Sequence, residues 1–193
     1  ALSHYRKAVE IDPNHAAAHA SLGLLLFRSK QMTDAKQEIN IALRLDPKNT
    51  KAQFYQGKLL RDNHDYANAL AAFEKVIRDP ELKQKALVER GCCYLEANSM
   101  EKAKVEFERA IKVSTNPESN DTLYARYFLA SCREKLRDID SAISQWEQIF
   151  KVKRSFRDVG EKLSQYQELR SNDSIKEYLT AGKDDFFTIC KSI

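Results

Sequence analysis

The sequence contains few residues that break helices or form tight turns. Its 193 residues include only 5 Gly and 4 Pro, too few for a sheet protein with many turns. Hydrophobic residues make up 42% of the chain and charged residues 31%, so a buried core is expected and a disordered chain is excluded. Long helices are therefore the default, and the composition predicts an all-α fold.

Charge of one sign is not concentrated anywhere in the chain. The net charge of +4 arises from 32 basic and 28 acidic residues spread along the length, which does not indicate nucleic-acid binding. The longest basic cluster is more typical of a solvated face than of a phosphate site; it contains Lys151, Lys153, Arg154 and Arg157.

The four cysteines lack both CxxC spacing and the density of a disulfide scaffold. We expect reduced thiols, which favours a cytoplasmic location, although a periplasmic one stays open. No signal peptide or membrane-length apolar run is present. Because the sequence starts at Ala1 inside a helical pattern, we expect it to be a fragment of a longer chain.

Catalytic and metal-binding motifs are also missing. His15 and His19 have the spacing of two metal ligands on one helical face. The residues between them, Ala16 to Ala18, are all alanine, so the glutamate of a zinc-protease motif is absent. We interpret His19 as a structural residue, and Glu106 and Glu108 as part of a solvated helix face. For Cys92, an exposed and reactive thiol is the weaker alternative. The sequence predicts no enzyme, metal or cofactor.

An internal repeat of 34 residues is the strongest positive signal. Four columns share this step: Gly23, Gly57 and Gly91; Ala1, Ala35, Ala69 and Ala103; Tyr5, Ile39, Phe73 and Phe107; Ala8 and Ala42, continued by Val76 and Ala110. Small residues allow two helices to approach closely, and the large column fills the space between neighbouring hairpins. Pro13, Pro47 and Pro80 then end the second helix of each unit.

These columns resemble the tetratricopeptide consensus, as in Leu22, Gly23, Leu26, Ala35 and Ile39. The resemblance implies a right-handed superhelical solenoid of antiparallel helical hairpins. Cys93 and Cys132 share a repeat position and are expected to be small buried side chains. The expected domains are an array at 1–150, with a truncated repeat at 1–13 and repeats at 14–47, 48–81, 82–117 and 121–150, and a capping helix with an apolar tail at 151–193.

The resemblance also implies a concave groove lined by the first helix of each hairpin. Aromatic anchors and cations share the mapped positions: Phe27, Arg28, Lys51, Phe54, Lys58, Arg61, Lys85, Tyr124 and Tyr127. Such a surface suits a partner segment with apolar and acidic residues. The alternative is that Phe27 and Phe54 pack within the array. The Lys and Asn clamp of chaperone-binding members is missing, since its positions hold Ala20 and Leu24, Phe54 and Lys58, Val88 and Cys92, and Tyr127 and Ser131.

The end of the sequence carries a second candidate interface. A capping helix is predicted from about Phe156 to Leu169, and its Phe-Arg-Asp-Val start resembles the end of bacterial repeat arrays. Beyond it, the apolar residues Phe186, Phe187, Ile189 and Ile193 predict an interface, with self-association as one option. This tail also loosely resembles spirochaete repeat proteins of the periplasmic flagellar collar.

The sequence thus predicts a non-catalytic scaffold that binds other proteins, within a larger bacterial complex such as the flagellar motor collar. The alternative is the regulatory or targeting arm of an enzyme whose catalytic domain lies outside this sequence. Neither nucleic acid nor direct membrane insertion is expected.

Overall fold

A computed structural model describes residues 1–171, and this part of the chain contains ten helices and no strand. The helices are α1 Leu2–Ile11, α2 Ala16–Arg28, α3 Met32–Leu45, α4 Thr50–Asp62, α5 Tyr66–Val76, α6 Lys83–Glu96, α7 Met100–Lys112, α8 Asn120–Lys135, α9 Ile139–Val152 and α10 Val159–Ser171. The predicted all-α class is confirmed. The predicted tail residues Phe186, Phe187, Ile189 and Ile193 lie outside the described residues.

The chain divides into two compact units, unit 1 (Ala1–Cys93) and unit 2 (from Tyr94), and α6 crosses the division. In unit 1, α2 packs against α3 and α4 packs against α5, as successive helical hairpins. In unit 2, α8 packs against both α7 and α9, and α10 packs against α9. Each unit is therefore built from helices that contact their neighbours in sequence.

The turn inside each hairpin uses one residue in the left-handed backbone region. These residues are Lys30, His64, Asn98 and Arg137, with φ of 60°, 60°, 57° and 63°. They are 34, 34 and 39 residues apart, so the last step is five residues longer than the repeat of 34. A left-handed residue reverses the chain within a few positions and lets the two helices pack side by side.

The repeat columns meet in the core of unit 1 as the periodicity predicts. A Cβ added at Gly23 would lie 2.7 Å from Ile39 Cγ1, and one at Gly57 would lie 2.7 Å from Phe73 Cε1. Ile39 and Phe73 are themselves fully buried. The small column is therefore needed because the large residue of the second helix lies directly against the first.

In both α2 and α4, a polar side chain of the helix forms a hydrogen bond with the loop that precedes the helix. His19 Nε2 lies 3.0 Å from the Pro13 carbonyl oxygen, and Gln53 Nε2 donates to the Pro47 carbonyl oxygen at 2.6 Å. His19 Nδ1 also lies 2.6 Å from Glu38 Oε2. The structural interpretation of His19 is thus confirmed, and Gln53 has the same role one repeat later.

The core of unit 2 is organised around Trp146, which is fully buried. Leu123, Ile149, Val159 and Leu163 belong to the same cluster, so α10 covers the apolar end of the last hairpin. The predicted start of this helix at Phe156 is wrong, because Phe156 and Arg157 lie in the turn before α10 and Arg157 has φ 47°. Phe156 is nevertheless buried in the cluster.

The structure corrects two expectations about exposure. The weaker alternative of an exposed, reactive Cys92 is contradicted, because Cys92 is buried in α6. Glu106 is also buried and accepts a hydrogen bond from Arg109 Nη1 at 2.9 Å, whereas Glu108 is exposed. The burial of Cys93 and Cys132 is confirmed, and burial raises the pKa of the Cys132 thiol to about 11.

Thr50 and Asp79 join the two ends of the second hairpin and make its stability depend on pH. Thr50 Oγ1 donates to Asp79 Oδ2 at 2.5 Å, and this bond holds the pKa of Asp79 below its ordinary value. A lowered pKa stabilises the fold above the ordinary pKa of aspartate, and the contribution is lost as the pH falls through the folded value.

We expect Thr50→Val to lower the free energy of unfolding at pH 7 by about 1 kcal/mol, because the carboxylate loses its hydroxyl donor. The loss should shrink at a pH low enough to protonate Asp79 in both proteins. Urea unfolding at both pH values measures it. A cost that is the same at both values would show that the methyl-for-hydroxyl exchange acts through packing and not through the carboxylate.

No helix within residues 1–171 is long and apolar enough to cross a membrane. The same part of the chain has no cluster of three or more His, Cys, Asp or Glu side chains arranged to hold a metal ion.

Candidate partner-binding face

Side chains of the first helices of unit 1 contact one another: α2 and α4 at predicted ligand positions, and α4 and the start of α6 through Glu89. We define the first-helix face of unit 1 as Phe27, Arg28, Lys51, Lys58, Arg61, Lys85 and Glu89. Lys58 joins all three helices, since its ammonium lies 5.6 Å from the Phe27 ring centroid and 2.8 Å from Glu89 Oε1.

Glu89 links two of the predicted cations. Its Oε1 accepts from Lys58, and its Oε2 accepts from Arg61 Nη1. The Glu89 side chain is only 13% exposed, against 23% for Lys58 and 19% for Arg61. Half-buried ion pairs with shared acceptors are held in one geometry, so these side chains are preorganised rather than freely solvated.

The aromatic residues of the face differ in depth. Phe27 is half-buried and its ring centroid lies 5.6 Å from that of Tyr55. Phe54 is only 5% exposed and packs edge-on against Phe73 with ring centroids 5.7 Å apart. This placement favours the packing alternative for Phe54, because an anchor needs surface that a partner can cover. Phe27 retains such surface.

Three predicted cations of unit 1 are exposed. Arg28, Lys51 and Lys85 project into solvent, and none has an ion-pair partner in the part of the chain that the structure describes. Together with Lys58 and Arg61 they outnumber the nearby carboxylates of Asp62, Asp79 and Glu89. The first-helix face of unit 1 therefore carries a positive surplus around one half-buried aromatic ring.

The predicted residues of unit 2 have a different environment. Tyr127 donates from its hydroxyl to Asp158 Oδ1 at 2.8 Å, and burial raises the pKa of this phenol. Tyr124 is 37% exposed and lies edge-on to Phe156, with ring centroids 5.1 Å apart. Both tyrosines thus contact the turn before α10. A single surface that joins them to the residues of unit 1 stays a prediction.

Sequence reasoning missed Glu89, Tyr55 and Asp158, and it interpreted Arg157 as part of a solvated basic face. Glu89 follows the groove position Val88, and Tyr55 follows the groove position Phe54. Helical phase therefore did not place either of them in the groove. The only available signal for Glu89 was that a carboxylate lies one residue from the groove column and faces two cations on the neighbouring helix.

Helical hairpins that repeat every 34 residues, with small and large columns interlocking, define the class of α-helical repeat proteins. Two family models, both described as tetratricopeptide repeat, match residues 1–56 and 54–120. The chain is a tetratricopeptide repeat protein. Proteins of this class are generally non-catalytic scaffolds for protein–protein interactions.

Among curated relatives, the chain is 28% identical over 116 residues to the type IV pilus assembly protein PilF of Pseudomonas aeruginosa, a match that covers 59% of this chain and 46% of PilF. It is 32% identical over 73 residues to anaphase-promoting complex subunit 3 of Schizosaccharomyces pombe, covering 38% of this chain and 11% of that protein. The chain thus spans about half or less of these two relatives.

Solved structures show the same fold. That of Pseudomonas aeruginosa PilF superposes with a TM-score of 0.73 at 22% identity, covering 98% of this chain and 87% of PilF. YrrB, described as a tetratricopeptide protein with an unusual peptide-binding site, gives a TM-score of 0.70 at 19% identity, covering 93% of this chain and 90% of YrrB.

Proposed function

We propose that this chain is an interaction scaffold that holds a segment of another protein on the first-helix face of unit 1. The observation that carries the proposal is the position of Lys58, held between the Phe27 ring and Glu89. A preformed arrangement of ring and cation loses little conformational freedom when a partner binds. Catalysis is not part of this role.

The charges of the face define the chemistry of the partner. Arg28, Lys51 and Lys85 are exposed and attract carboxylates, while the accessible part of Phe27 gives an apolar side chain a place to bind. Lys58 and Arg61 are already paired with Glu89, so they position the surface more than they contact the partner. The partner segment is therefore acidic, with apolar residues between its carboxylates.

The name of PilF supports a role in the assembly of a larger complex, since that relative is a pilus assembly protein. Assembly of the flagellar motor collar stays a prediction from the tail resemblance alone. The scaffold proposal needs neither complex, because it rests on the face of unit 1.

A peptide panel tests the proposal on the full chain. The probe is a fluorescein-labelled, end-blocked peptide in which single Leu residues alternate with pairs of Glu, compared with versions that carry Lys for Glu or Ser for Leu. We expect the Leu and Glu peptide to bind more tightly than either variant peptide, with an affinity that falls as salt rises.

The matched protein variants reverse the charge on exposed lysines. We expect Lys51→Glu with Lys85→Glu to weaken binding of the Leu and Glu peptide about tenfold or more, because two attractive charges become repulsive. Lys36→Glu makes one of the same changes on the exposed side of the second helix α3 and should leave affinity nearly unchanged. Equal effects of Lys36→Glu and of either single variant at Lys51 or Lys85 would refute this face.

A further inference from the structure

The turn between α9 and α10 holds its cations on aromatic rings. Lys153 Nζ lies 6.0 Å from the centroid of Phe156, and Arg154 Cζ lies 5.8 Å from that of Phe150. The sequence alone favours a plain solvated face for this basic cluster. The structure instead supports each of these side chains on a ring face, which restricts its motion.

Arg157 is held by three rings of α8. Its Cζ lies 5.0 Å from the Tyr124 centroid, 4.8 Å from that of Tyr127 and 5.5 Å from that of Phe128. A guanidinium that lies over aromatic rings still has N–H donors with which it can bind a further group. The side chain remains exposed to solvent.

The backbone of Arg157 adopts a conformation that residues with a Cβ rarely choose. Its φ of 47° lies in the left-handed region, as do the φ angles of the four hairpin turns, but Arg157 falls outside that repeating column. The neighbours on both sides fix this conformation, because Phe156 is buried in the core of unit 2 and Asp158 accepts the hydroxyl hydrogen bond of Tyr127. Packing therefore holds the guanidinium against α8.

The cations of the turn, and Lys151 at the end of α9, lack acidic partners. Lys151, Lys153, Arg154 and Arg157 are all exposed, and none forms an ion pair within residues 1–171. Fixed, exposed guanidinium donors without an acceptor match the planar oxygen pair of a carboxylate.

We propose that Tyr124, Lys153 and Arg157 form a basic–aromatic patch on unit 2 that binds an acidic segment of a partner protein. Lys153 and Arg157 both lie around the ring pair of Tyr124 and Phe156, so one segment contacts both cations. The exposed part of the Tyr124 ring contacts the side chain between two carboxylates. This site does not depend on the face of unit 1.

A protein segment fits the patch better than a nucleic acid does. Single strands bind by stacking bases on open aromatic faces, but Arg157 already covers the rings of Tyr127 and Phe128. Duplexes require a longer series of cations to neutralise phosphates, whereas this cluster is short and is followed by Asp158 and Glu161.

The test uses the full chain with the Lys51→Glu and Lys85→Glu changes, so that attraction to unit 1 is removed. The probe is a labelled, end-blocked peptide of Glu and Ser, measured by fluorescence anisotropy. We expect Lys153→Gln and Arg157→Gly each to weaken binding about two- to fivefold, and their combination about tenfold. Arg157→Gly keeps the left-handed backbone accessible, so a loss reports the side chain rather than the turn.

Lys112→Gln is the matched control, since it removes an exposed cation from α7 in the same unit and should leave affinity unchanged. Two results would overturn the proposal. One is peptide binding that both patch variants leave at the parent level. The other is a labelled single-stranded oligonucleotide, or vesicles of anionic lipid, whose binding is lost in the patch variants while peptide binding is not.

Discussion

Trp146→Ala is expected to destabilise the protein by about 3–5 kcal/mol, because it removes the largest fully buried side chain of unit 2. The indole stacks on Tyr166 with ring centroids 5.5 Å apart, and Lys162 lies 5.5 Å from its centroid. The substitution leaves a cavity between the last hairpin and α10. Urea unfolding followed by far-UV circular dichroism measures the loss.

Val152→Ala is the control for this change, since Val152 also lies on α9 but is 41% exposed. We expect it to alter the free energy of unfolding by no more than about 0.5 kcal/mol. A loss of similar size in both variants would show that α9 responds to any truncation, and that Trp146 does not hold α10 in place.

Gly57→Leu is expected to cost about 1–3 kcal/mol, because the new side chain overpacks the hairpin of α4 and α5. Even a Cβ at this position would lie 2.7 Å from Phe73, whose ring is fully buried. Chemical denaturation of the variant and the parent chain gives the difference.

Gly160→Ala separates overpacking from the general effect of replacing a helical glycine. A Cβ at Gly160 would meet only Phe150 at 3.5 Å, an ordinary contact, and alanine favours helix more than glycine does. We expect this variant to be as stable as the parent or slightly more so. If Gly57→Leu were equally well tolerated, the close approach of α4 and α5 would be wrong.

The hairpins were predictable because their spacing follows from packing. A small residue on the first helix and a large one on the second must face each other, as Gly57 and Phe73 do. The repeat of these residue types every 34 positions therefore predicts the contact. Glu106 was not predictable in this way, since its burial depends on Arg109 and on packing around the helix. The turn at Arg157, which makes α10 begin later than predicted, depends on contacts with α8 that no local sequence pattern encodes.

The sequence predicted which helix face carries the candidate site, but not how deeply each of its side chains is buried. Helical phase placed Phe27 and Lys58 on neighbouring first helices, and the structure brings the two side chains together. Phase does not report how far a side chain is covered, so Phe54 was grouped with Phe27 although it is buried. Glu89 was missed because a residue one step off the groove column still reaches Lys58 and Arg61 through long side chains.

The central claim is that partners bind to the first helices rather than to the second. Carbodiimide cross-linking of the Leu and Glu peptide to the full chain, followed by mass spectrometry, tests it directly, because this reagent joins carboxylates only to lysines in contact with them. We predict cross-links to Lys51 and Lys85 on α4 and α6, which are exposed. Cross-links confined to Lys36 and Lys75, which are also exposed but lie on the second helices α3 and α5, would contradict the claim.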